Sequence, residues 1–183
     1  MNIVQTELPG LLLIEPKVFG DPRGFFMETW NERRYQEAGL PGGFVQDNVS
    51  FSRQGVLRGL HFQRPLQPQG KLISVLQGEV FDVAVDVRRS SPTFGRWHAV
   101  VLSEANRRQF FIPPGFAHGF LVLSATALFH YKCTDYYAPQ AEVTIRWDDP
   151  DLRLAWPIGN PTLSDRDAQA PRLRDIPADR LFE

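Results

Sequence analysis

An all-β sandwich or barrel is the fold class this sequence predicts, and three observations carry the prediction. Between Gly55 and Thr144 short apolar-alternating runs recur, each bounded by glycine, proline or serine, which is the spacing of strands joined by turns. Nothing resembles a strand, long helix and strand in alternation, so a doubly wound sheet is disfavoured. Apolar residues make up 43% of the 183 residues, enough for one full hydrophobic core and little for two. With no repeat, linker or low-complexity segment, one domain spanning residues 1–183 is expected.

The elements follow in chain order. The opening "MNIVQTELPGLLLIEP" has no basic leader, and Pro9, Gly10 and Pro16 break its apolar run. Neither a signal peptide nor a membrane span is expected there. In "TWNERRYQEAGL" the pattern predicts a helix over Asn31–Ala38, with Thr29 and Glu32 as a capping box and Gly39 as the stop. "GKLISVLQGEVFDVAVDV" predicts two strands, Lys71–Leu76 and Glu79–Val87, hinged at Gln77 and Gly78. Further strands are read in "WHAVVL", "RRQFFI", "HGFLVLS", "ALFHYKCTDYY" and "AEVTIRW". The proline-rich tail from Asp148 is expected to wrap the outside of the β core as loops and short helical turns.

Charge and cysteine usage narrow the function. Twenty basic and 21 acidic residues give a formal net charge of −1, which argues against duplex nucleic acid as a partner, since that needs a basic face. A local basic pocket for one small anion remains open. Cys133 is the only cysteine, so no intrachain disulfide forms, and a reducing, cytoplasmic setting is expected.

Polar residues inside strands are the informative oddity. In "EVFDVAVDV", Phe81, Val83, Val85 and Val87 share one face and Asp82, Ala84 and Asp86 the other. Taken alone, that strand reads as having one exposed face. Lys71 shares a face with Ile73 and Val75, and Tyr131 sits in "LFHYKC"; both fit a barrel that gathers polar groups at one mouth to hold a small ligand. Arg58 and His61 in "GVLRGLHFQ" are three positions apart, which points them to opposite faces of a regular strand. A bulge at Gly59 would turn both into one cavity. His61 alone reads more simply as a core histidine.

In "FGDPRGFFMETW", Arg23 and Glu28 flanked by Phe19, Phe25 and Phe26 suit a ring with hydrogen-bonding edges such as a nucleobase, or else an ordinary surface strand. Glycine-rich phosphate loops are absent, so a bound phosphate would rest on side chains such as Arg58 and Lys71. No metal site is expected. Of the four histidines, His61, His98, His118 and His130, none forms a His-x-His pair. Lys71 falls where a carboxylate ligand would be needed, and a lysine cation repels a divalent ion.

Together these motifs resemble the dTDP-4-dehydrorhamnose 3,5-epimerase family. The segments are "DPRGFFMETW", "FVQDNVSFSRQGVLRGLHFQ", "GKLISVLQGEVFDVAVDVRRSSPTFGRW", "FFIPPGFAHGFLVLS", "YKCTDYYAPQAEVTIRWDDP" and "LSDRDA". They run in family order over about residues 20 to 170. The resemblance implies a cupin-type jelly-roll β-barrel with a few short helices, a homodimer, and an isomerase without metal or other cofactor. Its substrate would be a dTDP-sugar, dTDP-4-dehydro-6-deoxy-D-glucose, inverted at both carbons beside the ketone on the route to dTDP-L-rhamnose.

The same resemblance assigns residues. It implies His61 as general base with Asp167 as its carboxylate partner, Tyr131 as proton donor, and Lys71 beside the sugar oxygen. Arg58 would reach the diphosphate and Tyr137 would stack on thymine. Arg23, Glu28, Gln46, Asp47, Asn48, His118 and Glu142 would be substrate contacts, as would Phe19, Phe26 and Arg166. The sequence departs from the pattern in Phe62, where tyrosine is common, and in Arg166, where lysine is frequent. Ser164-x-x-Asp167 reads also as a helix cap. The rivals are a related cupin that inverts one carbon or shifts the ketone, with Phe120 and Tyr131 as the deciding rim, a non-catalytic sugar-nucleotide-binding cupin, and a metal-dependent cupin oxygenase or isomerase.

Overall fold

The computed structural model describes residues 1–183. Its strands are β1 Asn2–Gln5, β2 Leu12–Glu15, β3 Val18–Asp21, β4 Gly24–Met27, β5 Gln46–Arg53, β6 Leu57–Gln63 and β7 Lys71–Gln77. They continue as β8 Glu79–Asp86, β9 Trp97–Ser103, β10 Gln109–Ile112, β11 Phe116–Val122, β12 Thr126–Cys133 and β13 Glu142–Thr144. Two short α-helices, α1 Glu32–Glu37 and α2 Asp165–Ala168, and three 3-10 turns complete the chain. A six-stranded sheet runs β1-β2-β10-β7-β12-β5, a five-stranded sheet β13-β6-β11-β8-β9, and β3-β4 form a separate hairpin. Each strand pairing in the sheets is antiparallel.

The two sheets close on one apolar interior. Ile73, Val75, Phe110 and Phe129 come from the six-stranded sheet, and Val80, Ala84, Leu102 and Phe120 from the five-stranded one. Each of these side chains larger than Ala84 contributes roughly 1.5–3 kcal/mol on burial, so this cluster outweighs any single cap or ion pair. Period-2 alternation sends the other residues outward, where two smaller layers cover them. Tyr35 of α1 and Leu40 pack on Ile14, Leu72 and Phe111 behind the six-stranded sheet. Leu152, Leu173, Ile176 and Leu181 of the tail pack on Leu60, Val83, Val85 and Ala117 behind the five-stranded sheet. The tail thus wraps the β core as its composition implies.

Two readings from the sequence need correction. The cap of α1 is Asn31, whose side chain accepts from the backbone N–H of Arg34 at 3.2 Å, instead of Thr29. Glu32 turns instead to the N–H of Gly43. Asn and Thr both cap well, and the residue next to the first turn wins. The Asp82-Ala84-Asp86 face is not exposed: all three are fully buried. Asp86 accepts from Arg88, Ser91 and Thr93 and so ties down the turn after β8, while Asp82 pairs with His118.

Gly59 sets the geometry of β6. His61 lies opposite His118 and Arg58 opposite Phe120, so three steps along β6 match two along β11. The extra residue reverses parity and brings Arg58 and His61 to one side. Gly59 has φ of 125°, and a Cβ there would meet Gly119 Cα at 2.6 Å. Glycine is therefore required.

Candidate active site

Between the sheets lies a cavity of about 470 Å³. His61, Arg58 and His118 line it from the five-stranded sheet, and Lys71, Phe129, Tyr131 and Ser50 from the six-stranded sheet. The tail closes one side. Thr162 bridges to Val56 and exchanges backbone hydrogen bonds with Leu57 and Gly55. Ser164 then caps α2 by accepting from the N–H of Asp167 at 3.1 Å. This docking delivers Asp167 to His61, Oδ1 to Nε2, at 2.6 Å. The cap and the carboxylate pair coexist.

Asp167 is almost fully buried. Burial pushes its carboxyl up, but hydrogen bonds from His61, Ser164 and the Gly59 N–H outweigh that and hold it below the usual carboxylate range. An ionised Asp167 accepts a proton from Nε2 of His61, and in the neutral form of that imidazole the lone pair then falls on Nδ1. On that side stands Glu142, its Oε1 3.9 Å from Nδ1. Glu142 accepts from Tyr137 Oη at 2.8 Å and from Arg166 Nη1 at 2.8 Å.

Lys71 makes no ion pair; its nearest aromatic neighbour is Tyr131, with Nζ 5.8 Å from the ring centre. Burial pulls the Lys71 pKa down, opposed by Cys133, Glu142 and Asp82. Burial, then Cys133 and Glu142, push the Tyr131 phenol up. His118 Nε2 lies 3.0 Å from Asp82 Oδ2. Desolvation drives both toward their neutral forms, lowering the imidazole and raising the carboxyl, and their mutual attraction opposes this. No group of three or more His, Cys, Asp or Glu side chains is placed to hold a metal ion.

Nine of the residues singled out from sequence therefore meet at this cavity or its mouth: Arg58, His61, Lys71, His118, Tyr131, Tyr137, Glu142, Arg166 and Asp167. Gln46 and Asn48 line an adjoining pocket with Tyr131 and Tyr137, and Gln46 accepts from the Tyr137 N–H. Asp47 points the other way, as strand parity requires, and pairs with Lys132 at 2.7 Å. Phe120 is buried and stacks on Phe129 at 4.0 Å, so it forms floor and not rim. Arg23, Glu28, Phe19 and Phe26 stand apart from the cavity of their own chain. Arg23 pairs with Asp21, Glu28 with Arg34, and both phenylalanines are exposed on the β3–β4 hairpin. Ser50 was missed from sequence; its alternation with Asn48 and Ser52 along β5 is the signal that points it inward.

A carboxylate-backed imidazole, a phenol and an unpaired ammonium in one half-closed barrel are the equipment of proton transfer beside a carbonyl, which places the protein among the cupin-like isomerases. Comparison with known proteins sharpens the class. Residues 5–175 match the family described as dTDP-4-dehydrorhamnose 3,5-epimerase. The dTDP-4-dehydrorhamnose 3,5-epimerase of Methanothermobacter thermautotrophicus is 53% identical over 179 residues, covering 96% of each chain. The crystal structure of a dTDP-6-deoxy-D-glucose-3,5-epimerase from Legionella pneumophila in complex with dTDP-4-keto-L-rhamnose superposes with a TM-score of 0.96 at 57% identity, over 99% of this chain and 97% of that one. A 3'-monoepimerase from Streptomyces bikiniensis, in complex with dTDP-quinovose, reaches 0.87 at 37% identity, over 92% and 86%. The chain belongs to the dTDP-4-dehydrorhamnose 3,5-epimerase family, and it is an epimerase.

Proposed function

We propose that this cavity converts dTDP-4-dehydro-6-deoxy-D-glucose to dTDP-4-dehydro-L-rhamnose, inverting both carbons that flank the ketone, in dTDP-L-rhamnose biosynthesis. The observation that carries the reading is the division of the site between sheets. His61 with Asp167 at 2.6 Å stands on the five-stranded sheet, and Tyr131 stands on the six-stranded sheet across the same cavity. Inversion needs a proton removed from one face of a ring and another returned to the opposite face.

In this reading His61 Nδ1 takes the proton beside the ketone, and Asp167 stabilises the resulting imidazolium through Nε2. Electron density moves onto the ketone oxygen. Lys71, half-buried in the cavity wall and free of any carboxylate partner at ion-pair distance, answers that charge. Tyr131 returns a proton from the far side. The guanidinium of Arg58, held by Ser52 Oγ at 3.1 Å, takes the diphosphate. Tyr137 and the Gln46–Asn48 pocket take the thymidine. No metal or other cofactor is assigned a role.

Arg23, Glu28, Phe19 and Phe26 enter through a homodimer. Phe25 and Phe26 are 58% and 68% exposed on the hairpin, and Val49 and Phe51 are each 58% exposed on edge strand β5. Exposed apolar surface of this kind is relieved by a second copy, whose hairpin and the residue after it would supply those four residues to this cavity. The buried thiol of Cys133 supports a reducing, cytoplasmic setting, and no helix is long and apolar enough to cross a membrane.

The test is an NMR product assay on dTDP-4-dehydro-6-deoxyglucose in deuterated water. Deuterium at both flanking carbons with the L-configured product is expected. Inversion at one carbon would place the protein instead beside the 3'-monoepimerase. His61→Ala is expected to bind the nucleotide sugar and neither exchange nor invert; retained exchange at both carbons removes His61 as the base.

A further inference from the structure

Helix α2 meets the imidazole of His61 from both edges. Asp167 takes Nε2, while its neighbour Arg166 reaches past the ring to Glu142, which faces Nδ1. Arg166 holds both carboxylate oxygens, with Nη1 2.8 Å from Oε2 and Nη2 2.6 Å from Oε1. Its Nε donates to Thr144 Oγ1 at 3.0 Å. Thr144 is the residue opposite His61 in the β13–β6 register, so the guanidinium is anchored to the strand beside the base. Tyr137 Oη adds a third donor to Glu142. The result is a carboxylate stopped 3.9 Å from Nδ1, about 1 Å longer than a typical hydrogen bond.

That stand-off has a chemical consequence. A second carboxylate closing on an imidazole already paired with Asp167 would favour the imidazolium, and an imidazolium cannot accept the substrate proton. It would also cover Nδ1. We infer that Arg166 is a positioning residue for the proton-transfer step: by clamping both oxygens of Glu142 it keeps that carboxylate off His61 Nδ1. The inference rests on the reading of His61 as the base. It gives Arg166 a duty toward the enzyme's own base, where the family resemblance implies only a substrate contact.

The other titratable groups around His61 do not share this duty. Asp167 is committed to Nε2, and His118 on β11 is bonded to Asp82 behind it. Lys71 on β7, Tyr131 on β12 and Arg58 on β6 line the cavity without bonding Glu142. Burial pushes the Glu142 carboxyl up, and the donors Arg166 and Tyr137 pull it below its usual range, with the His61 charge adding to them. It is therefore an ion at neutral pH.

The experiment is the pH dependence of kcat/KM, which reports the free enzyme's acid and base. Arg166→Met is expected to move the acid limb upward by about one unit, because one unit is the tenfold change a freed carboxylate readily produces. Activity then falls by about tenfold more below the limb than on the plateau, whatever the plateau itself loses in substrate binding. Arg166→Lys, which keeps one charge but loses the fork, moves the limb by a smaller step in the same direction. Adding Glu142→Gln to either variant cancels the shift. Titration of the His61 ring by NMR in the free protein follows the same order. An unshifted limb, or a loss equal at every pH and confined to KM, overturns the inference. Should Arg166→Met fail to fold, the Arg166→Lys shift and its cancellation decide the matter. His61→Asn is run alongside: retained deuterium exchange in that variant defeats the base reading itself, whereas lost exchange with an unshifted limb in the Arg166 variants defeats only this inference.

Discussion

The two walls of the cavity are built on different plans. On the five-stranded wall the polar groups are spoken for: His61 by Asp167, His118 by Asp82, Glu142 by Arg166 and Tyr137. On the six-stranded wall Lys71 and Tyr131 carry no hydrogen bond within the protein, and the Ser50 hydroxyl is buried without a partner. A saturated wall holds its geometry before substrate arrives, and removing one member strands another. An unsaturated wall holds groups at a cost in stability, because desolvation penalises an ammonium that no carboxylate contacts directly. Such a cost is tolerated where the missing partner is the charge that develops during the reaction.

The contrast makes predictions that differ in kind. Asp167→Asn, on the saturated wall, should cut kcat by roughly 10³- to 10⁴-fold, as loss of a tautomer-fixing carboxylate does in catalytic triads, and should lower thermal stability as well. Steady-state rates and a melting curve check both. Because the Asp167 carboxyl is held below its ordinary value of 3.8, its contribution to stability is complete above that pH and is lost as pH falls through the lower folded value. The variant should lack this component of the acid transition.

Lys71→Met should cost roughly 10²- to 10³-fold in kcat yet raise the melting temperature by about 2–4 °C per kcal/mol of relieved desolvation. A lowered melting temperature would show that this wall is paired after all. Tyr131→Phe should allow deuterium exchange from the His61 face while inversion falls on the order of a hundredfold, and unimpaired inversion would move the acid role elsewhere. Ser50→Ala should be the mildest. Deleting an unpartnered buried hydroxyl changes stability by within about 1 kcal/mol, in the stabilising direction, and any rise in KM would reveal a substrate contact.

What could be read from the sequence follows the same division. The convergence of Arg58 and His61 is legible at Gly59, because a bulge is a local event with a local signal. Lys71 and Tyr131 stood out as polar residues among apolar neighbours. Asp82 and Asp86 were misread, since alternation looks the same whether a face meets water or a polar cavity. Only the fold reveals that β8 is an inner strand, with β11 and β9 on its flanks and covered on both faces. The motif joins Asp47 to Gln46 and Asn48, yet adjacent strand residues point to opposite faces, and Asp47 turns to Lys132. The Asn31 cap was lost to Thr29 because both residue types fit the motif. Arg23 lies in the β3–β4 hairpin and Glu28 just after it, away from the chain's own cavity, and no short-range pattern encodes such a distance.

The attachment of α2 through Thr162 and Ser164 carries a consequence for biogenesis. Barrel strands end at Thr144, yet Arg166 and Asp167 come later, so a chain interrupted between those points could lay down both sheets and still be inert. With Asp167 and Arg166 in their proposed roles, competence arrives only with that segment, which also roofs Leu60, Val83 and Val85. Incomplete products would therefore be silent and sticky together, and open to removal by proteases before they engage a nucleotide sugar.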